Sequence, residues 1–128
     1  MRFNHITLRV ADIPRARDFY ARLGFQIIVD ERHYCRFMAP VDNSTLSIEK
    51  HDGPCGSADQ IGLEFESAEA LDQTVSRLEA DGFRFTQKPM DQSWLWRDAI
   101  LNDPDGHQLL FYFAGKNRLH PPWRVGND

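Results

Sequence analysis

The segment 3–25, FNHITLRVADIPRARDFYARLGF, decides the fold, because its pattern returns in the second half of the chain. Within it, the apolar residues Ile6, Leu8 and Val10 alternate with polar ones, which predicts a β-strand with one buried face. Apolar residues then recur at helical spacing after a capping aspartate, and Gly24 is suited to end the helix. The segment therefore predicts a strand followed by a helix.

The second copy, segment 60–83, has the sequence QIGLEFESAEALDQTVSRLEADGF and repeats both features. Three more strands are predicted after each copy, at 25–30, 33–38 and 44–50 in the first half and at 83–86, 94–102 and 108–113 in the second. Each half is thus a βαβββ module, and the fold class is α+β. We assign module one to about residues 1–50, a linker to 51–59, module two to about 60–113 and an extended tail to 114–128, all within one domain.

Length and charge limit the classes of function. A chain of 128 residues with 41% hydrophobic residues is expected to form one domain. Its formal net charge of −4 offers no basic face to a nucleic acid. No apolar stretch is long enough for a signal peptide or a membrane span, so we expect a cytoplasmic protein. Cys35 and Cys55 lack the spacing of a metal or redox motif and are expected to be free thiols.

Alternation along four strands also defines a polar face on the side away from the helices. The residues assigned to this face come from the strands that begin and end each module: His5, Thr7, Arg9, Thr45, Ser47, Glu49, Gln60, Gly62, Glu64, Gln108, Leu110 and Tyr112. A partly enclosed polar face with ionisable groups predicts a small-molecule site. The alternative is a solvated face, which antiparallel sheets commonly have.

Ionisable groups on this face are candidates for acid–base chemistry. Two carboxylates, Glu49 and Glu64, form a candidate catalytic set with His5, because like charges held close together raise the pKa of one of them. His33, on a neighbouring predicted strand, is a further candidate for contact with a ligand. The alternatives are a solvated carboxylate for Glu64 and a structural role for His33.

Two tryptophans offer a surface for a planar molecule. Trp94 and Trp96 occupy alternate positions of a predicted strand and would form a flat apolar wall, with Leu110 and Tyr112 beside it. Arg97 is placed to pair with a carboxylate of the ligand. The alternative is core packing for one tryptophan and a surface position for the arginine.

The paired modules resemble the vicinal oxygen chelate superfamily, which includes glyoxalase I, extradiol dioxygenases and bleomycin-resistance proteins. The resemblance rests on the segments NHITLRVADIPRARDFYARLGF, IGLEFESAEALDQTVSRLEADGF and DPDGHQLLFYF. It implies that the two modules form an open, U-shaped barrel, the glyoxalase/bleomycin resistance/dioxygenase fold. It also implies a homodimer.

The same resemblance implies one divalent metal ion, held by the first and fourth strands of each module. The matching positions carry His5, Glu49 and Gln60, whereas the last position, usually Glu in the family, is Leu110. Leucine has no lone pair, so this change removes both a ligand and the base with which glyoxalase I abstracts a proton. The three remaining residues would leave coordination positions open for water and substrate.

Two functions are compatible with these residues. One is a metal-assisted lyase or dioxygenase-like enzyme that acts on a small oxygenated or carbonyl substrate through His5, Glu49 and Gln60. The other is a metal-free protein of the bleomycin-resistance type that sequesters a planar small molecule. The residues expected to contact a ligand are Thr7, Arg9, His33, Ser47, Trp96, Arg97, Leu110 and Tyr112.

Overall fold

The fold is described by a computed structural model that covers residues 2–56 and 59–126. Its elements are β1 (His5–Val10), α1 (Ile13–Leu23), β2 (Gln26–Glu31), β3 (Tyr34–Met38), β4 (Thr45–Lys50), β5 (Gln60–Glu64), α2 (Ala68–Ala80), β6 (Phe85–Asp91), β7 (Arg97–Asn102), β8 (Gln108–Phe113) and a short 3-10 helix (Gly115–Arg118). Both halves are βαβββ modules, so the predicted α+β fold class is confirmed. Among these residues, no helix is both long and apolar enough to cross a membrane.

The chain forms two compact units. Unit 1 contains the residues up to 59 together with Asp103–His107, and unit 2 contains residues 60–102 and those from 108 onward. The turn between β7 and β8 therefore belongs to unit 1, although both strands belong to unit 2.

In unit 1 the strand order is β1-β4-β3-β2, with β1 parallel to β4 and the other pairs antiparallel. Helix α1 begins where the Asp12 carboxylate accepts a hydrogen bond from the Arg15 N–H, and it ends at Gly24, whose φ of 109° is left-handed. The helix packs on β3 and β4. The buried apolar residues of this layer are Leu8, Val10, Ile13, Ala16, Tyr20, Phe25, Cys35, Phe37, Leu46 and Ile48.

Unit 2 repeats the arrangement with the strand order β5-β8-β7-β6, in which β5 is parallel to β8. Helix α2 begins at Ser67, whose hydroxyl accepts a hydrogen bond from the Ala70 N–H, and it packs on β6, β7 and β8. The buried apolar residues of this layer are Leu71, Val75, Leu78, Phe83, Phe85, Ala99, Leu101, Leu109 and Phe111. The alternate residues of the same strands face away from α2.

Two strand boundaries in unit 2 differ from the sequence prediction. β6 continues well beyond the predicted 83–86 and includes Pro89, which an edge strand tolerates because only one of its sides needs hydrogen bonds. β7 begins at Arg97 instead of Trp94, because Leu95 has a φ of 68° and turns the chain before the strand starts.

The turn Asp103–His107 is held in unit 1 by a buried carboxylate. Asp103 accepts hydrogen bonds from Tyr20 Oη at 2.7 Å and from the backbone N–H groups of Asp105 and His107 at 2.9 and 2.8 Å. Burial raises the pKa of Tyr20, and the nearby charge of Asp103 raises it further, so the phenol stays protonated and remains a donor.

Three further contacts fix the same turn. The Asp105 carboxylate accepts a hydrogen bond from the Ala11 N–H at 2.8 Å, and the His107 ring lies 2.8 Å from the Arg9 carbonyl oxygen. The backbone of the turn also passes so close to Gly56 that a Cβ there would lie 2.5 Å from the Asp105 carbonyl oxygen. The turn is therefore an integral part of unit 1.

Candidate functional site

A cavity of about 310 Å³ opens in unit 2, on the sheet face that points away from α2. All four strands of the sheet and the β6–β7 turn contribute to its lining, which consists of Gln60, Gln87, Gln92, Trp94, Trp96, Asp98, Ile100 and Leu110. Its volume is near the lower end of the roughly 300–1,000 Å³ that small-molecule sites occupy. The cavity is therefore suited to a compact ligand.

The pairing register explains why these residues meet. Leu110 lies opposite Ile100, which lies opposite Gln87, and Tyr112 lies opposite Asp98. Because side chains alternate along each strand, these positions form two neighbouring rows on the same face of the sheet. The row of Gln87, Ile100 and Leu110 is apolar at its centre. The other row places the Asp98 carboxylate beside the Tyr112 ring.

Trp96 forms an aromatic wall of the cavity and is backed by Tyr112. The two rings are stacked, with their centroids 4.5 Å apart and their planes at 16°. Gly62 makes room for this stack, since a Cβ there would lie 3.1 Å from the Tyr112 ring. Burial raises the pKa of Tyr112, and Glu64 raises it further, so the phenol is neutral at neutral pH. The wall is thus flat and uncharged.

The β6–β7 turn brings Trp94 and Trp96 to the cavity. The Gln92 N–H closes the turn by donating to the Trp96 carbonyl oxygen at 2.8 Å. Between the two tryptophans, Leu95 has a left-handed φ of 68°, which costs a non-glycine residue about 1 kcal/mol or more. Asn117, in the 3-10 helix, donates to the Leu95 carbonyl oxygen at 3.5 Å and accepts from the Trp96 indole at 3.4 Å. The start of the predicted tail therefore supports the turn.

Asp98 contributes a carboxylate to the lining. The residue is 3% exposed, and its Oδ1 accepts hydrogen bonds from the Gln87 amide at 2.6 Å and from the Gln92 amide at 2.9 Å. The Gln87 amide also donates to the Asp98 backbone carbonyl oxygen at 3.1 Å. Both glutamines thus hold the carboxylate in one orientation without neutralising its charge.

Unit 1 carries a second group of polar side chains on the face away from α1. The buried Ser47 hydroxyl lies 2.7 Å from Tyr34 Oη, and this phenol oxygen accepts two hydrogen bonds from the Arg36 guanidinium, at 2.9 and 2.8 Å. Ser47 was expected to contact a ligand from the sequence, but it is covered by this network. Its structural role is to orient the phenol, and through the phenol the guanidinium.

Residues His5 and Glu49, predicted to share a metal ion, lie far apart along their strands. His5 is opposite Thr45, and Glu49 is opposite Arg9, four residues further along the same pairing. At about 3.3 Å per residue this is about 13 Å, whereas each ligand of an ion lies within about 2.6 Å of it. The His5 ring is instead turned toward the hydroxyls of Thr45 and Thr7, at 2.6 and 3.1 Å.

The third predicted ligand, Gln60, donates to Gln108 at 3.2 Å within unit 2. Leu110, which supplies no ligand, lies two residues beyond Gln108, and the equivalent residue in unit 1 is Ser47 and not Glu49. Within 2–56 and 59–126, no group of three His, Cys, Asp or Glu side chains is arranged to hold a metal ion. The predicted donor set therefore does not fit a divalent ion.

Two further charged candidates are engaged with partners in unit 2. Glu64 accepts a hydrogen bond from Arg118 at 3.1 Å, and its predicted catalytic pairing with Glu49 stays a prediction. Arg97, expected to meet a ligand carboxylate, instead donates to Asp72 at 2.9 and 3.2 Å and to Asp91 at 3.2 Å. It lies on the α2 side of the sheet because it precedes Asp98 by one residue, and alternation sends the two side chains to opposite faces.

The remaining candidates are exposed on unit 1. His33 lies in the turn between β2 and β3, where its carbonyl oxygen accepts from the Lys50 N–H at 3.0 Å. Arg9 and Thr7 are on the polar face of β1, as expected from the alternation. Contact of these three residues with a ligand stays a prediction.

The sequence reasoning missed four residues of the cavity: Gln87, Gln92, Asp98 and Ile100. A signal was present for two of them, because Asp98 and Ile100 alternate with the apolar Ala99 and Leu101. The two glutamines had no such signal, because β6 has irregular pairing and was predicted to end before Gln87.

Neither cysteine has the character of a reactive thiol. Cys35 is fully buried, and burial raises the pKa of its thiol, as does its hydrogen bond to Asp30. Burial also raises the pKa of Cys55, whose thiol contacts the carbonyl oxygens of His51 and Gly53. Both are free thiols, as predicted, and both are disfavoured as thiolates.

Tyr34→Phe is expected to lower the free energy of unfolding by about 1–3 kcal/mol, because Ser47 loses its hydrogen-bond partner and the Arg36 guanidinium loses its acceptor. Urea denaturation followed by circular dichroism measures this loss. The matched control is Tyr34→Phe combined with Ser47→Ala, which removes both polar partners and should recover part of the stability. A double variant no more stable than Tyr34→Phe alone contradicts the assigned network.

Two βαβββ units, each a four-stranded sheet packed on one helix, define the class of protein by its fold. Residues 2–111 match the model of the Glyoxalase/Bleomycin resistance protein/Dioxygenase superfamily, and the chain belongs to this family. The predicted family resemblance is thereby confirmed.

Similar proteins include enzymes and binding proteins. A trivalent organoarsenical cleaving enzyme from Bacillus sp. (strain MD1) is 22% identical over 137 residues, which cover 100% of this chain and 85% of the relative. A crystal structure of a glyoxalase/bleomycin resistance protein/dioxygenase from Nocardioides has a TM-score of 0.82 at 19% identity and covers 98% of this chain and 90% of that chain. A bleomycin-binding protein in complex with bleomycin has a TM-score of 0.70 at 23% identity, covering 88% and 98%. At these identities the structural likeness shows the fold alone.

Proposed function

We propose that the protein binds and sequesters a small planar molecule in the unit 2 cavity, without a metal ion. The observation that carries this proposal is the Trp96 wall, because an indole stacked on Tyr112 at the edge of a cavity of about 310 Å³ presents a rigid, flat and neutral surface. The bleomycin-binding protein with the same fold gives a precedent for ligand binding in the family.

Metal-assisted chemistry has less support from the side chains. The register places Glu49 opposite Arg9 instead of near His5, and the side chain of Leu110 offers no donor atom. A lyase or dioxygenase-like activity would therefore need ligands other than the three that the family resemblance suggests. We retain the homodimer and the cytoplasmic location as predictions.

Cleavage of trivalent organoarsenicals, the activity named for one relative, also lacks support in this chain. Trivalent arsenic binds soft thiolate ligands. The pKa values of Cys35 and Cys55 are both raised, which disfavours their thiolate forms. The Cys35 thiol donates to the Asp30 carboxylate, and the Cys55 thiol donates to the Gly53 carbonyl oxygen.

The proposal is tested by nitrogen-15 NMR of the three tryptophan indoles during titration with 2-naphthamide, a neutral planar probe. Saturable shifts of the Trp94 and Trp96 signals are expected, whereas the Trp123 signal, from a residue outside the cavity lining, should stay unchanged. Ligands of this size gain about 0.3 kcal/mol per heavy atom, so a Kd of about 1 mM is expected. Addition of EDTA should leave it unaltered.

Trp96→Ala is expected to weaken binding of 2-naphthamide at least about tenfold, because the flat wall is lost. Trp123→Ala is the matched control, since Trp123 is 59% exposed and lies in the tail. Equal affinity of the Trp96→Ala variant and the wild type, or binding that disappears with EDTA and returns with a metal, would contradict the proposal.

A further inference from the structure

The charge inside the unit 2 cavity indicates which planar molecules it accepts. Of the described residues that line it, Asp98 alone is ionisable, and the residue is only 3% exposed. A carboxylate removed from water is costly unless a counter-ion or strong hydrogen bonds compensate for the lost hydration. The partners of Asp98 therefore determine whether its charge is compensated within the protein.

The hydrogen bonds of Asp98 use only one of its two carboxylate oxygens. Both glutamine amides, from Gln87 and Gln92, donate to Oδ1. Oδ2 receives no hydrogen bond from the part of the chain that the structure describes. It is not fully buried and remains accessible. Since Asp98 lines the cavity, the accessible oxygen is the one available to a ligand.

The basic residues around the cavity do not supply the missing positive charge. Arg97 is engaged with Asp72 and Asp91 on the α2 side, and Arg118 is paired with Glu64. Within residues 2–56 and 59–126, no Lys, Arg or His side chain lies within ion-pair distance of Asp98. Neutral glutamine amides thus orient a carboxylate whose charge remains unpaired.

We propose that the ligand is a planar aromatic cation whose charged nitrogen donates a hydrogen bond to Asp98 Oδ2 while its ring lies against Trp96. This inference rests on the proposed function and names the chemical class of its ligand. A charged donor to a carboxylate forms a stronger hydrogen bond than a neutral donor does. The indole faces of Trp94 and Trp96 add cation–π attraction for the same group.

The test compares three probes of nearly equal shape in calorimetric titrations: 2-naphthamidine, which is cationic, 2-naphthamide, which is neutral, and 2-naphthoate, which is anionic. The wild type is expected to bind the amidine about 10- to 100-fold more tightly than the amide, and the naphthoate most weakly. In Asp98→Asn, the preference for the amidine over the amide should fall to about threefold or less, because the neutral amide of Asn attracts no cation.

Asp91→Asn is the matched control, because Asp91 belongs to the adjacent strand, its side chain is 84% exposed, and it does not line the cavity. This variant should keep the wild-type preference. If Asp98→Asn does not fold, the wild-type series decides, and Asp98→Glu should retain a preference for the amidine.

The outcomes separate this inference from the function on which it rests. Equal affinity of the wild type for amidine and amide, with binding that still depends on Trp96, overturns the cation and leaves the planar-ligand function intact. A preference for the amidine that persists in Asp98→Asn also overturns the role of Asp98. Binding of none of the three probes overturns the proposed function itself.

Discussion

Asp103→Ala is expected to lower the free energy of unfolding by about 3–5 kcal/mol. The carboxylate is the common acceptor for the Tyr20 hydroxyl and for the backbone N–H groups of Asp105 and His107, and the residue is 5% exposed. Alanine leaves all three donors without this acceptor in a buried environment, and each unsatisfied donor costs about 1–3 kcal/mol. Guanidinium chloride denaturation monitored by circular dichroism measures the loss.

Two variants determine whether the lost acceptor is the cause. Asp103→Asn keeps one carbonyl oxygen and should cost less than Asp103→Ala, and Tyr20→Phe removes a single donor and should cost about 1 kcal/mol. Asp18→Ala, which removes a carboxylate that is 71% exposed, is the control and should change stability by less than about 0.5 kcal/mol. A cost for Asp103→Ala as small as that of Asp18→Ala would contradict the assigned role of the turn.

Phe111→Ala is expected to lower the free energy of unfolding by a similar amount, about 3–5 kcal/mol, through a cavity in unit 2. Phe111 is 3% exposed and lies in β8, which packs on α2. Its ring stacks on Phe65 with centroids 5.8 Å apart and meets Phe85 edge-on at 5.2 Å. Removing the ring takes this contact from both aromatic neighbours and leaves a void that the rigid sheet fills only in part.

The control for Phe111→Ala is Phe3→Ala, because Phe3 is 95% exposed and its loss creates no cavity. Differential scanning calorimetry gives the shift in melting temperature for both variants. If the Phe111→Ala and Phe3→Ala variants had the same melting temperature, the β8 face would not be packed as described. A partial recovery in Phe111→Leu is expected, since leucine fills part of the volume.

Asp103→Ala and Phe111→Ala together test the prediction that the chain is one domain. Asp103 and Phe111 lie in different compact units, and we propose that the chain nevertheless unfolds in one cooperative step. On this proposal, each substitution lowers a single transition. A thermogram with one unchanged and one shifted transition would argue for two domains.

Most of the fold could be predicted from local patterns in the sequence, namely alternation in the strands and capping residues at the helix starts. Ile6, Leu8 and Val10, and their counterparts near Ile61, specify strands that bury one face, and the Asp12 and Ser67 caps specify where the helices begin. The misplaced start of β7 shows the limit of this reasoning. A left-handed φ at Leu95 has no signature in a leucine, because its cost is offset by contacts that the local sequence does not specify.

The candidate site was less predictable, because it depends on the register between strands and on which charged side chains pair with each other. Alternation assigned Leu110 and Tyr112 to the sheet face away from α2, whereas Trp96 lies in the turn before β7 and not within the strand as predicted. The position of Glu49 relative to His5 required the β1–β4 pairing. Charges were the hardest to assign. Alternation with Ala99 and Leu101 places Arg97 on the α2 side, but its ion pairs with acidic residues depend on how the helix and the neighbouring strand pack.

The turn between β7 and β8 has a consequence for dividing the gene. A fragment that ends at residue 59 would contain every strand and helix of unit 1, yet it would lack the five residues Asp103–His107 that the unit includes. The Tyr20 hydroxyl, the Ala11 N–H and the Arg9 carbonyl oxygen would all lose their partners. Half-length expression clones of unit 1 should therefore include the pentapeptide DPDGH, since a cut at residue 59 separates these five residues from their hydrogen-bond partners.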